Sequence, residues 1–526
     1  VPTGESYGVT LATQGREILN LKAEYVRDSS RLAGTWKVNM READVAPFAL
    51  GVSLPVFTAA GEGAVDADAG LSAIRVHGKL LAEGERLDAL QAELAVLGKI
   101  TLQADFDLAE RSGVIAVQRW HATIAAAEPL ATVRTLQPFE FTPATGALQA
   151  ADATRDLVGI SLHAIPVAWA APFVGSAVVS GTTVRGELVG LPRGGGVAIR
   201  SSGPMMIGQL SLAIGSTPAV TAVDLAFGAT LDYNPKGWQG VIEGLTVKSG
   251  GATLLTLDAR AGRLAGENQP LRSTGKISAH LPTLLAQPMA KGKLALTAGD
   301  AALEFAASLG AVQELHAKVD LKGLETVAGQ KVLRLPILSA DVRTDIAANG
   351  RMAFSAPILI QAETRKSDLA VTGSLVPVKG KIGTVEAIVT SNQLVVDDVR
   401  AFFALVPGAS PEGAKRAEPV APANQPVPPW AGLDGSLTLR LKDVTYSDTF
   451  RASNVAGRIQ IDAGKVKLEG LQVGLGENGR ANLDGVLTFD AALPQPFGLV
   501  ADVAVREFDP GPLLQALERG RPATVE

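Results

Sequence analysis

The sequence predicts a mostly β protein: a long antiparallel meander of repeats, each about 115 residues and closed by a short helix, that curls into an elongated trough with an apolar groove. Three observations predict it. Short runs alternate apolar and polar residues along the whole chain, and none shows the long helical period of an α/β enzyme. Strands repeatedly open on apolar-x-Gly-x-Leu, as in "VRGELVGL", "AKGKLALTAG", "VTGSLVPV", "LDGSLTLRL" and "LDGVLTFD". One closing device recurs at a nearly constant interval.

That device is an alternating strand, an apolar residue, Asp or Pro, and a short apolar helix. It reads "VNMREADVAPFAL", "ISLHAIPVAWAAPF", "ISAHLPTLLAQP", "AIVTSNQLVVDDVRAFFAL" and "VAVREFDPGPLLQAL". With Ala43, Ile165, Leu281, Val396 and Phe508 as equivalents, the intervals are 122, 116, 115 and 112 residues. Asp accepts the free N–H groups of a first helical turn, and Pro suits the position after the cap. Helices of one to three turns are therefore expected near Asp44, Pro166, Pro282, Asp397 and Asp509. The layout that follows is residues 1–50 as the end of a preceding repeat, then repeats at 51–174, 175–290 and 291–405. A Pro- and Ala-rich loop at 406–430 precedes a final repeat at 431–526.

The final repeat is the most legible. In "LDGSLTLRLKDVTY", Leu437, Leu439 and Leu441 alternate with Ser436, Thr438, Arg440 and Lys442, a strand with one apolar and one wet face. Ile459 and Ile461 face Val466 and Leu468 across Asp462-Ala463-Gly464-Lys465, a hairpin. A second hairpin, "LEGLQVGLGENGRANLDGVLTFD", is read as turning at Asn478-Gly479. The expected apolar lining is Leu437, Leu439, Leu441, Ile459, Ile461, Val466, Leu468, Leu471, Val473, Leu483, Leu487 and Phe489. Strands and turns of about 11 residues give on the order of 45 strands. At about 4.8 Å each they make a sheet of roughly 200 Å, which has to curl or stack. Aromatic residues are only 5% of the chain, which favours an open groove lined by aliphatic side chains.

Composition narrows the function classes. Hydrophobic residues are 47% and charged ones 19% of 526 residues, and mean hydropathy is +0.21. A net charge of −5 gives no reason to expect nucleic acid. No cysteine is present, so disulfides, thiolate metal sites and cysteine nucleophiles are excluded. Leu157 to Val179 is apolar enough for a membrane span, but Pro166, Pro172, His163 and two glycines argue against one. The start at Val1 and the end at "RPATVE" read as an internal fragment.

The search for chemistry finds no enzyme and no cofactor. His77, His121, His163, His280 and His316 have no metal-binding spacing. Asp66 and Asp68 in "AVDADAG" lack the further ligands of a calcium loop and read as a turn. "LPRGGGVAIR" lacks Gly-Lys-Ser/Thr and reads as a hairpin, and Asp397-Asp398 reads as a helix cap.

Trp430 to Leu517 resembles the C-terminal region of AsmA-like proteins: a Pro-rich break, G-x-L-x-L, Tyr446, a hairpin, a Gly/Asn turn, and a strand leading to "DPGPLL". Glu477-Asn478-Gly479 stands where a glycine pair is usual. The earlier repeats resemble more divergent copies, as in TamB-type envelope proteins. The resemblance implies a periplasmic bridge-like protein, tethered to the inner membrane by an anchor outside this fragment. Phospholipid acyl chains would pass along its trough to the outer membrane, with outer-membrane or periplasmic proteins as further partners. Exposing two acyl chains of about 30 methylenes to water costs on the order of 24 kcal/mol, which a continuous apolar groove avoids. Two alternatives remain: a non-conducting envelope scaffold or outer-membrane assembly factor, and a surface β-repeat adhesin, whose coils would be shorter.

Overall fold

A computed structural model describes residues 4–515 apart from 14, 28–29, 49–52, 91, 170–176, 194–195, 293, 329–330, 364, 379–380, 404, 406–429, 431–432, 448–449, 463–464, 491–495 and 512. The Pro- and Ala-rich stretch lies outside the described residues. Among the described residues the fold is 74% strand and 7% helix, a long mixed sheet of 31 strands in meander order. The strands are fewer than expected because they are longer, reaching 18 residues in Thr217–Asn234. The chain divides within the strand Ala252–Leu264 into two compact units, residues 1–253 with 260–265 and residues 254–259 with 266–526.

Most neighbouring strands are consecutive and antiparallel. Val158–Pro166 pairs with both Pro129–Thr135 and Thr183–Arg193, bypassing the small hairpin of Phe139–Thr142 with Ala147–Ala150. One pairing departs from the antiparallel expectation: Lys381–Val395 and Leu433–Tyr446 run parallel. Parallel neighbours need a crossover of a dozen or more residues, and residues 396–432 supply it. The sheet continues through this parallel pair.

The closing helices are short. They are α1 (Glu42–Val45, continued by a 3-10 turn at Ala46–Phe48), α2 (Leu281–Leu285) and α3 (Val396–Phe403). Single helical turns stand at 167–169 and 511–515 where described. Asp44 is the third helical residue of α1, the acidic partner of a capping box, not the N-cap residue itself. Its carboxylate turns back to accept the Arg41 N–H at 2.7 Å and pairs with Arg16. Asp509 accepts the Gly511 N–H at 2.9 Å, as an N-cap does. The two acids of α3 act as tertiary fasteners, correcting the cap reading. Asp397 accepts the Ser447 N–H at 2.7 Å, and Asp398, almost fully buried, pairs with Arg365 at 2.9 Å. Arg400 donates to the Tyr446 hydroxyl at 3.1 Å.

Two small cores in the second unit form where these helices meet strand ends. Leu324, Leu335 and Leu405 are buried against Leu281, Leu296, Ala401 and Phe402, so residues of α2 and α3 share one cluster. Phe450 and Ala452 are buried against Tyr446, Val473, Phe508 and Leu513, with the Phe450 and Phe508 rings edge to face at 6.2 Å. The closing device thus seals the ends of strands. Phe508→Ala is expected to lose about 2 kcal/mol, below the usual figure for a fully buried ring because Phe508 is half-exposed. Urea unfolding of the second unit measures it, and unchanged stability would contradict the sealing role.

Candidate apolar lane

Registration across the strands sorts residues into faces, because directly opposed residues project to the same side. In the first unit one row reads Leu11, Leu19, Val38, Gly61, Leu80, Ala104, Ala122, Val133, Ile160 and Leu188, each opposite the next. Ten strands contribute and every residue is apolar. The row beside it reads Thr10, Asn20, Lys37, Glu62, Lys79, Asp105, His121 and Arg134. All eight of these residues are polar and the charges largely alternate in sign; on the next two strands the row continues through Gly159 and Val189. A one-residue slip would exchange the faces, so the pattern fixes register.

Exposure follows the same division. Along Arg31–Arg41 the polar side chains are exposed, while Leu32, Trp36, Val38 and Met40 are half-buried. The same alternation runs through Leu271–His280 and most of Phe450–Asp462. Fully buried positions on the apolar face are mostly small, such as Ala23, Ala104, Ala122 and Ala279. Inner residues of a stacked sandwich would be sealed; these are not. Water reaches both faces of such a sheet.

In the second unit the corresponding row is Phe354, Gly373, Ala387, Leu437, Ile459, Leu468, Gly485 and Ala501. It passes through the parallel pair unbroken. A neighbouring row joins Gly435, Ile461, Val466, Leu487 and Leu499. Leu439 opposes Val389 and Gly457, Leu441 opposes Val455, Leu471 opposes Leu483, Val473 opposes Ala481, and Phe489 opposes Phe497. The twelve residues named from the sequence therefore share one face. Leu471 keeps that face despite its odd spacing from Leu468, because the ladder shifts between them and Gly470 takes a φ of 56°. Val385, Ala387 and Val389 extend the same face. In sequence they lie before the Pro- and Ala-rich stretch, outside the final repeat.

The polar face carries cross-strand ion pairs, solvent-exposed and individually weak. Arg75 grips Asp107 with two bonds of 2.8 and 2.5 Å, and Lys276 reaches Glu304 at 2.6 Å. Clefts of about 480 Å³ and 650 Å³ open there, the first beside Lys37, Glu62, Lys79 and Asp105 and the second beside Lys318, Asp341, Asp368 and Arg440. Charges of both signs line each, which gives neither a net pull on a charged ligand. His77 opposes Asp107, His121 opposes Asp105 and His280 opposes Asp300 in the ladder, while His316 bonds Asp341 at 2.8 Å. The hydrogen bond from Arg75, aided by its charge, holds the Asp107 carboxyl below the usual carboxylate range. A depressed folded value stabilises the fold above the ordinary value near 3.9 and is lost as pH falls through the folded value. Asp107→Asn is thus expected to lower the urea midpoint of the first unit at pH 7, with the deficit shrinking away as pH falls through the depressed folded value. A deficit constant with pH would contradict this.

The remaining motifs are structural. Asp68 accepts the Ser72 and Ala73 N–H groups at 2.6 and 3.3 Å and so caps a turn, while Asp66 opposes Arg75 in the ladder. "LPRGGGVAIR" forms a hairpin in which Arg193 opposes Gly196. The turn expected at Asn478-Gly479 instead takes its positive φ at Gly476, with Leu475 opposite Gly479. Among the described residues no cluster could hold a metal and no helix is long and apolar enough to cross a membrane. Most of the described part of Leu157 to Val179 is strand. The chain matches no family model and no curated protein.

Proposed function

We propose that this chain carries phospholipid acyl chains along its apolar face, between the inner and outer membranes of a Gram-negative envelope, as the resemblance to AsmA-like and TamB-type proteins implies. One observation carries the reading: an apolar row unbroken over ten strands, flanked over the first eight of them by a row that is polar throughout. Nine strand spacings of about 4.8 Å make that row about 43 Å long. Half of a bilayer's hydrocarbon core is about 15 Å, so a chain anywhere on the row stays in apolar contact. A row of one chemical kind also offers no deep well, which lets the chain move. The proposed role needs no nucleophile and no cofactor.

The test is photo-crosslinking of a labelled phospholipid from a benzophenone placed at Leu439, on the apolar face, or at Arg440, one residue away on the other. Labelling at 439 is expected to exceed that at 440 about ten-fold, the factor two buried methylenes supply. Equal labelling, or none, would overturn the conduit and favour a scaffold.

A further inference from the structure

Resting on the acyl-chain reading, we propose that Trp36 is a displaceable lid over a glycine-floored slot in the first unit, and that the slot takes one acyl chain. The register row that holds it reads Val9, Leu21, Trp36, Gly63, Gly78, Phe106 and Trp120. Two consecutive strands therefore supply no side chain at this level. Trp36 fills the gap. A β-carbon added at Gly61, Gly63 or Gly78 would lie 3.1, 2.8 or 2.5 Å from the indole. The strand bearing Phe106 is three spacings from that of Trp36, about 14 Å. Even so, the two ring centroids are 6.1 Å apart with planes inclined by 19°. The Trp120 ring continues the series at 6.0 Å. The indole thus lies along the lane, in the direction a transported chain would take.

Two further features make the ring displaceable. Its Nε1 is shielded from water and has no hydrogen-bond partner, so the closed position leaves a donor unsatisfied and any position reaching water relieves it. A cleft of about 450 Å³ beside Tyr7, Val9, Leu21 and Leu32 opens at the start of the same row. A chain lying in that cleft and following the row meets the edge of the indole. An indole and a polymethylene chain are each one atomic layer thick, with contact spacings of about 3.5–4.0 Å. A chain can therefore lie over Gly63 and Gly78, against Phe106, once the indole swings out.

The test uses the whole chain with its five tryptophans replaced by 5-fluorotryptophan, the Trp36 fluorine signal being assigned from Trp36→Phe. The probe is phosphatidylcholine brominated along its oleoyl chain, and bound lipid is counted by mass spectrometry. Bound lipid is expected to shift and broaden the Trp36 and Trp120 signals. Trp36→Leu is expected to retain about three-fold more lipid, the size of one aromatic contact no longer broken. If that variant fails to fold, the fluorine signals of the unaltered chain decide. Lipid that binds and crosslinks at position 439 while the Trp36 signal stays fixed would overturn the lid and leave the conduit standing. No bound lipid at all would overturn both.

Discussion

Gly63→Val is expected to destabilise the first unit by about 3 kcal/mol, at the upper end for an overpacked site. The reason is geometric. A β-carbon at position 63 would lie 2.0 Å from the His77 carbonyl oxygen, 2.7 Å from the Gly78 α-carbon and 2.8 Å from the Trp36 ring. Two of these are backbone atoms of a paired strand and cannot step aside without opening the ladder. Valine otherwise suits a strand, so propensity predicts the opposite sign. The matching control is Gly70→Ala, in the turn after that strand, where an added β-carbon meets nothing within 4 Å; its effect is expected within about 0.5 kcal/mol. Urea unfolding monitored by tryptophan emission measures both. A Gly63→Val protein as stable as the Gly70→Ala protein would mean that the indole does not rest on the glycines.

The contrast between what the sequence predicts well and badly is physical. Alternation with period two is imposed by the pleat, so the face of Leu437, Leu439, Ile459 and Val466 could be read from the chain alone. Strand partners that follow one another closely could be read too, because a hairpin leaves little choice. Turn chemistry could not be fixed: Gly476 and Asn478-Gly479 both offer positive φ within four residues, and the ladder decides between them. The parallel pair was invisible because the sequence of Leu433–Tyr446 is the same for either direction of pairing. The described contacts that fix it are long-range bonds from α3, in which Asp397 accepts the Ser447 N–H and Arg400 donates to the Tyr446 hydroxyl. An acid at a helix start reads as a cap by default; Asp44 does close back on the Arg41 N–H, but it and Asp398 also make ion pairs that the sequence does not show. Their partners, Arg16 and Arg365, lie 28 and 33 residues earlier. The aromatic row was hidden for the same reason. Trp36, Phe106 and Trp120 are scattered in sequence, and only registration brings them into line across Gly63 and Gly78.

Leu439→Asp combined with Ile461→Asp is expected to stop lipid transfer while leaving the sheet intact. The two positions lie on paired strands and on one face: Leu439 is opposite Val389 and Gly457, and Ile461 is opposite Gly435 and Val466. Both are half-buried, so a carboxylate at either can still reach water and the fold survives. The lane does not. A charge in an apolar path costs a passing methylene chain its contacts and holds water there, a penalty of several kcal/mol. Each 1.4 kcal/mol is a factor of ten, so the passage rate should fall about 100-fold or more. Leu439→Ala removes surface without adding charge and is expected to cost little transfer. Arg440→Asp reverses a charge on the opposite face and should be tolerated. Transfer of a fluorescent phospholipid between donor and acceptor vesicles, with each variant checked by circular dichroism, separates these outcomes. In cells the same set is read by outer-membrane integrity. A folded double variant that transfers lipid at the normal rate would leave the apolar rows without a transport role, since a conduit cannot be indifferent to two charges across its floor.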